Sequence, residues 1–155
     1  MDDTVDTGVL QMELRRVFAH PRERVFDAWT REEALMAWMG PSESIVAGPV
    51  SMDFREGGNY RICFVEAGEP DKWVQGTYLT IRRPERLMFT WSWSAPVPDA
   101  GTETTVIVDF SEVPEGTLVH LRHLRFATQA VCDMHAAGWA GTFDKLARRL
   151  DDGRC

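Results

Sequence analysis

Hydrophobic residues recur at helical spacing near the end of the chain and at strand spacing through its middle. Between Phe126 and Leu150, Trp139, Phe143, Leu146 and Leu150 follow one another at intervals of four, three and four, while Asp144, Lys145, Arg148 and Arg149 fall on the other side. That is one apolar stripe of an α-helix, and the spacing predicts a docking helix over about residues 128–150. Burial of four such side chains contributes about 1.5–3 kcal/mol each, so roughly 6–12 kcal/mol as an upper bound. Since a whole domain is stable by only about 5–15 kcal/mol, the helix belongs to the core.

The rest of the chain alternates. Gly8 to Phe18 sends Leu10, Met12, Leu14 and Phe18 to one side, as a half-buried strand does. Pro21 then fits the first position of a short helix with Val25, Phe26 and Trp29 on its apolar face. Thr30 and Glu33 have the spacing of a capping box for a second short helix through Leu35, Met36 and Trp38, which Gly40-Pro41 stops. A weaker strand follows at Ser44 to Val50, and Gly57-Gly58 marks a turn or bulge. Five further strands are expected at Tyr60–Val65, Trp73–Arg82, Arg86–Ser94, Thr104–Phe110 and Thr117–Phe126. Their connectors are too short for parallel crossovers, so the strands form an antiparallel meander. Leu87, Phe89, Trp91 and Trp93 point one way and Met88, Thr90 and Ser92 the other; Val106, Val108 and Phe110 likewise oppose Thr105, Ile107 and Asp109. One sheet face is therefore expected to be apolar. The predicted fold is α+β: a curved antiparallel sheet of six to seven strands wrapped around a long C-terminal helix, with two short helices after the first strand.

A chain of 155 residues, 44% hydrophobic and 26% charged, suits a single domain spanning 1–155, with residues 1–7 expected to be a disordered acidic tail. No stretch has the length of a membrane span and the start carries no apolar run, so a cytoplasmic protein with no membrane partner is expected. Three cysteines, Cys63, Cys132 and Cys155, show no paired spacing and fit a reducing compartment. A net charge of −7 without a compensating Lys/Arg cluster argues against direct nucleic-acid binding.

Several strings carry a resemblance: Phe18-Ala-His-Pro-Arg-Glu-Arg-Val-Phe-Asp-Ala-Trp-Thr30, Trp38-Met-Gly-Pro41, Gly57-Gly58-Asn-Tyr60, Gly76-Thr-Tyr78, Pro84-Glu-Arg-Leu87 with Phe89-Thr-Trp91, and His135-Ala-Ala-Gly-Trp139 with Phe143 and Leu146. In this order, from about residue 10 to 150, they resemble the bacterial family similar to the C-terminal domain of the activator of heat shock protein 90 ATPase. That family belongs to the START/SRPBCC superfamily, whose helix-grip fold resembles the birch-pollen allergen. The resemblance implies a cavity between the long helix and the sheet, suited to an apolar or aromatic small molecule. It does not by itself imply an enzyme, because the superfamily mixes binding proteins, cyclases and co-chaperone modules. Met39 and Phe143 depart from the family pattern, where tryptophan and leucine are more usual, at positions expected to shape the cavity mouth.

Candidate chemistry is sparse. His120 and His123 look like a ligand pair, but three residues apart on a strand they face opposite ways and cannot share an ion. Cys132 and His135 lie three apart on a helix with no third ligand at a suitable spacing, so no metal and no cofactor are expected. His123 shares the inward parity of Val119 and Leu121; it reads either as a satisfied core-edge histidine or as a polar group touching a ligand. Trp29 and Trp139 read chiefly as core, Trp91 and Trp93 as cavity walls. Gly138 and Gly141 weaken a helix by about 1 kcal/mol each, so they imply close approach of sheet or ligand to the helix backbone. A helix about 10 Å across cannot fill a curved sheet, which leaves a pocket towards one end. The expected lining is Tyr60, Ile62, Phe64, Phe89, Trp91, Val106 and Val108 facing Trp139 and Phe143, with His135 beside them. His123 and Tyr78 are its expected polar anchors, and Trp38 with Gly40-Pro41 its rim. The expected function is binding of a small apolar molecule without chemistry, by a monomer or homodimer. A protein-interaction module with a protein partner, and a cyclase or dehydratase, are the alternatives.

Overall fold

The computed structural model describes residues 10–94, 97 and 100–155. The expected tail at residues 1–7 lies outside them, as do Gly8 and Val9 of the expected first strand. In chain order the elements are β1 (Leu10–Phe18), α1 (Arg22–Asp27), α2 (Glu32–Trp38), β2 (Ile45–Met52), β3 (Asn59–Glu66), β4 (Lys72–Arg82), β5 (Arg86–Trp93), β6 (Thr104–Val113), β7 (Gly116–Phe126) and α3 (Gln129–Asp151). The strands form one seven-stranded sheet in the order β1-β7-β6-β5-β4-β3-β2, antiparallel at every pairing. Among the described strands only the link from β1 to β2 leaves the meander, and α1 and α2 carry it from one edge of the sheet to the other. α3 packs against β1, β7 and α2, gripped by the curved sheet as the periodicity of residues 128–150 predicts. Its N-terminus is capped by Thr128, whose hydroxyl accepts from the Val131 amide at 3.2 Å.

Trp139, Phe143, Leu146 and Leu150 are all buried, with Phe143 and Leu146 fully enclosed. Around them the core is densely aromatic: Trp29 stacks on Trp139 at 6.2 Å and meets Trp38, Phe110 and Phe143 edge-on. Such offset and edge-to-face pairs add about 0.5–1.5 kcal/mol beyond the area they bury.

Local structure departs from simple periodicity and capping rules at five places. Pro21 stands one residue before α1, in the capping position. Thr30 does not cap α2: its hydroxyl donates back to the Asp27 carbonyl at 2.9 Å, and no side chain caps that helix. Lys145, expected on the solvent side of α3, is 1% exposed because the α2–β2 loop folds over it. Its ammonium donates to the carbonyls of Ser42 at 3.1 Å and Ile45 at 2.9 Å, and burial lowers its pKa. The outer sheet face is not simply polar, since Ile107, Leu124, Thr105 and Arg122 are buried there, with Asp109 accepting from both Arg86 and Arg122. Finally, Arg125 adopts φ +76°. That turn defeats the strand parity and brings Phe126 inside, its ring 4.3 Å from that of His123.

Candidate functional site

α3 and the sheet separate towards the N-terminal half of the helix, and between them lies a cavity of about 310 Å³. This is the small end of the roughly 300–1,000 Å³ typical of ligand pockets. One wall is aromatic, made by Phe64 of β3 and Trp91 and Trp93 of β5. The facing wall is α3, through Val131, Met134, His135, Gly138, Trp139 and Thr142. The segment after α2 closes one side with Met39, Pro41 and Ile45, while Glu66, Lys72 and Val97 stand at the remaining edge. A second space of about 20 Å³ lies deeper, lined by Trp29, Leu35, Tyr60, Ile62, Tyr78, Leu87 and Phe89, and shares Met39 and Trp91 with the first.

Why the helix stands off the sheet here is visible in its glycines. A Cβ on Gly138 would meet nothing within 4 Å, because this turn of α3 faces the cavity. A Cβ on Gly141, one turn on, would collide with the carbonyl oxygen of Pro41. Gly141 thus lets the rim segment lie against the helix, a partner other than the sheet or ligand expected from sequence. Two further contacts fasten that segment: the Lys145 ammonium described above, and Glu43, whose carboxylate takes hydrogen bonds from Arg149 and Arg148 at 2.7 Å each. Those bonds, Arg149 first, hold the Glu43 pKa down at about 2.

The polar groups of the wall are tied to one another. Trp139 Nε1–H donates to His123 Nδ1 at 3.1 Å, and His123 Nε2 lies 2.7 Å from Thr104 Oγ1, whose own proton goes to the Trp91 carbonyl. His123 therefore carries its proton on Nε2. Burial, helped by nearby His135, lowers its pKa well below the ordinary value and keeps it neutral. His135 repeats the arrangement in the other tautomer: Nδ1–H donates to the Val131 carbonyl and Nε2 accepts from Trp93 Nε1–H, both at 2.9 Å. The two imidazole rings lie 5.1 Å apart. Among the described residues no three His, Cys, Asp or Glu side chains converge on a metal position.

Of the residues singled out from sequence, Phe64, Trp91, His135 and Trp139 come together around the larger cavity. Tyr60, Ile62, Tyr78 and Phe89 surround the smaller space, with Tyr60 Oη donating to the Thr90 carbonyl at 2.5 Å. Val106, Val108 and Phe143 are fully enclosed in the core and line neither. His123 sits behind Trp91 and Trp139 rather than at the surface of either space. The expected rim is corrected at Trp38: its indole is buried and donates to the Ala28 carbonyl at 2.9 Å, so Met39 and Pro41 form that side instead. Phe143, expected to shape the mouth, does not reach it. Val131 and Thr142 were missed, although Val131, His135, Gly138 and Thr142 repeat the four-three-four spacing of the core stripe about two turns earlier. That second stripe is the signal that could have found them.

Comparison with known proteins places this geometry. No curated protein matches the chain, and among the described residues no helix is long and apolar enough to cross a membrane. Solved structures share the fold over nearly its whole length. The AHSA1 protein of Silicibacter pomeroyi superposes with a TM-score of 0.79 at 26% identity, covering 92% of this chain and 98% of its own. A protein of Chromobacterium violaceum gives 0.78 at 22% identity over 90% and 96%. The AHSA1-like protein of Aeromonas hydrophila, solved in solution, gives 0.74 at 18% identity over 93% and 94%. The model of the family described as activator of Hsp90 ATPase homolog 1-like protein matches residues 19–151, and the chain, with its helix-grip fold, belongs to that family.

Proposed function

We propose that the protein binds a small, mostly apolar or aromatic molecule in the cavity between α3 and the aromatic face of β3 and β5, and does no chemistry on it. The observation that carries this reading is a cavity of about 310 Å³ walled by three aromatic side chains opposite a helix turn that lacks a side chain at Gly138. Both ring nitrogens of His123 and of His135 are engaged within the protein, which favours a binding wall over an acid–base site. Three unpaired cysteines, two of them buried, suit a cytoplasmic setting.

A second reading, a protein-interaction module of the co-chaperone kind, draws support from one feature. Met134, at the cavity edge, is 58% exposed, and flexible methionines recur at adaptable binding surfaces.

The test is a panel of apolar and aromatic compounds read by tryptophan emission and thermal melting. An occupant at 100 times its Kd stabilises by about 2.7 kcal/mol, a rise of roughly 5–10 °C for a chain of this size. Gly138→Leu, which fills the cavity from the helix side, should abolish the response without unfolding the protein. If no compound moves either signal in the wild-type protein, the binding reading fails and the interaction module takes its place.

A further inference from the structure

The polar groups of the cavity are divided between its wall and its mouth. Inside, the side-chain donors are committed: Trp93 to His135, Trp139 to His123, the Thr142 hydroxyl to the Gly138 carbonyl, and His135 Nδ1–H to Val131. Trp91 Nε1–H is enclosed and out of an occupant's reach. At the mouth stand Glu66 and Lys72, the charged members of the lining, both half-buried where β3 ends and β4 begins. Strand register turns both side chains onto the concave face. Directly opposed residues of an antiparallel pair share a face; Lys72 opposes Phe64, Glu66 opposes Ile45, and both of those partners line the cavity. Among the described residues neither Glu66 nor Lys72 forms a salt bridge, with the other or elsewhere.

A polar group carried into the aromatic interior would lose its water without gaining a free side-chain donor, so it belongs at the mouth. There Lys72 is rooted closer to the aromatic wall: it lies across from Phe64, whereas Glu66 lies two residues nearer the turn between β3 and β4. A lysine brings three N–H donors on a flexible stem, which suits a carboxylate left at the opening by an aromatic body. The net charge of −7 opposes an anion only weakly, because charges more than about 8 Å away are screened at physiological salt. We propose that the ligand of this cavity is an aromatic carboxylic acid that enters ring first, its ring seated against Phe64, Trp91 and Trp93 and its carboxylate held at the mouth by Lys72, with Glu66 weakening that hold. The inference rests on the binding reading above and narrows its ligand to acids.

The experiment compares 2-naphthylacetate with 2-naphthylacetamide, which share a shape and differ in charge. Affinities for wild-type protein, Lys72→Gln and Glu66→Gln are measured by calorimetry, with melting curves confirming that both variants are folded. Taking the acid-to-amide affinity ratio within each protein cancels changes in cavity shape. The ratio should fall about fivefold in Lys72→Gln and rise by a similar factor in Glu66→Gln, the worth of one partly exposed ionic contact. A mere loosening of the hairpin would not give the two substitutions opposite signs. In the wild type, added salt should weaken binding of the acid and spare the amide, a reading that needs no variant. Equal ratios in the three proteins with the amide bound, or a ratio that rises in Lys72→Gln, would overturn the acid inference and leave the binding reading standing. If neither compound binds wild-type protein, the inference and the binding reading fall together.

Discussion

Gly138 and Gly141 stand three residues apart in α3, and their surroundings give alanine opposite signs at the two positions. In a helix interior, replacing glycine by alanine stabilises by about 0.8–1.0 kcal/mol, partly by restricting the unfolded chain. At Gly138 the new methyl meets nothing within 4 Å, so nearly all of that gain should appear, raising Tm by roughly 2–4 °C. At Gly141 the methyl would overlap the Pro41 carbonyl oxygen, a backbone atom in a segment fastened by Lys145 and Glu43. Forcing an extra carbon into such a contact costs about 1–3 kcal/mol or more; with the overlap falling on a fixed backbone atom this outweighs the helix gain of about 0.8–1.0 kcal/mol and leaves a net loss of up to about 2 kcal/mol. Urea melts followed by circular dichroism decide it, provided the slope m is the same for all three proteins so that midpoints report stability. A Gly141→Ala variant as stable as Gly138→Ala would refute the idea that this turn of the helix exists to admit the rim.

Two other outcomes are expected. Trp139→Ala should lose about 3–5 kcal/mol in denaturant melts, the range for deleting a large buried aromatic, and a loss under about 1 kcal/mol would make Trp139 peripheral. His123 stays neutral when folded because burial lowers its pKa, so below an ordinary histidine pKa of about 6.5 the unfolded chain takes up a proton that the folded one refuses. Its contribution is therefore fully present above about pH 6.5 and is lost as pH falls below it, with a slope of up to about 1.4 kcal/mol per pH unit. His123→Asn should flatten that slope, and identical slopes for the two proteins between about pH 6.5 and 5 would exclude His123 as its source.

Most of the fold was legible because two periods, 2 and 3.6, run through long stretches of the chain, and because the connectors were too short for anything but an antiparallel order. The apolar stripe of α3 marked its buried face from Trp139 to Leu150. What escaped depended on contacts between distant segments. Lys145 reads as a surface residue on a helical wheel, and only the return of residues 42–45 over the helix makes it a buried donor. Phe126 reads as outward by strand parity, and only the φ of Arg125 reverses it. For the site, inward parity found residues on the concave face but could not tell which lie under the helix and which beyond it. Val106 and Val108 end in the core, whereas Phe64 and Trp91, on the same face, end beside the opening.

The paired indole–imidazole contacts explain how a wall of large aromatics stays open instead of collapsing into the space. A tryptophan that packed only by area could rotate about its χ angles to fill a neighbouring void, gaining contacts worth about 0.1–0.2 kcal/mol per atom pair. Trp139 and Trp93 are restrained from doing so, because turning either ring would strip the N–H from His123 or His135; for the buried Trp139–His123 pair that leaves a donor and acceptor unpaired, a loss of about 1–3 kcal/mol, and less for the half-buried Trp93–His135 pair. His123 is fixed in turn by Thr104, and His135 by the Val131 carbonyl of its own helix. The histidines thus act as struts, which is why two imidazoles 5.1 Å apart beside a cavity need not make a catalytic pair. On the proposed binding function, a wall held in place before an occupant arrives would also lose less side-chain freedom, where each long side chain immobilised at that moment costs about 0.5–1.5 kcal/mol.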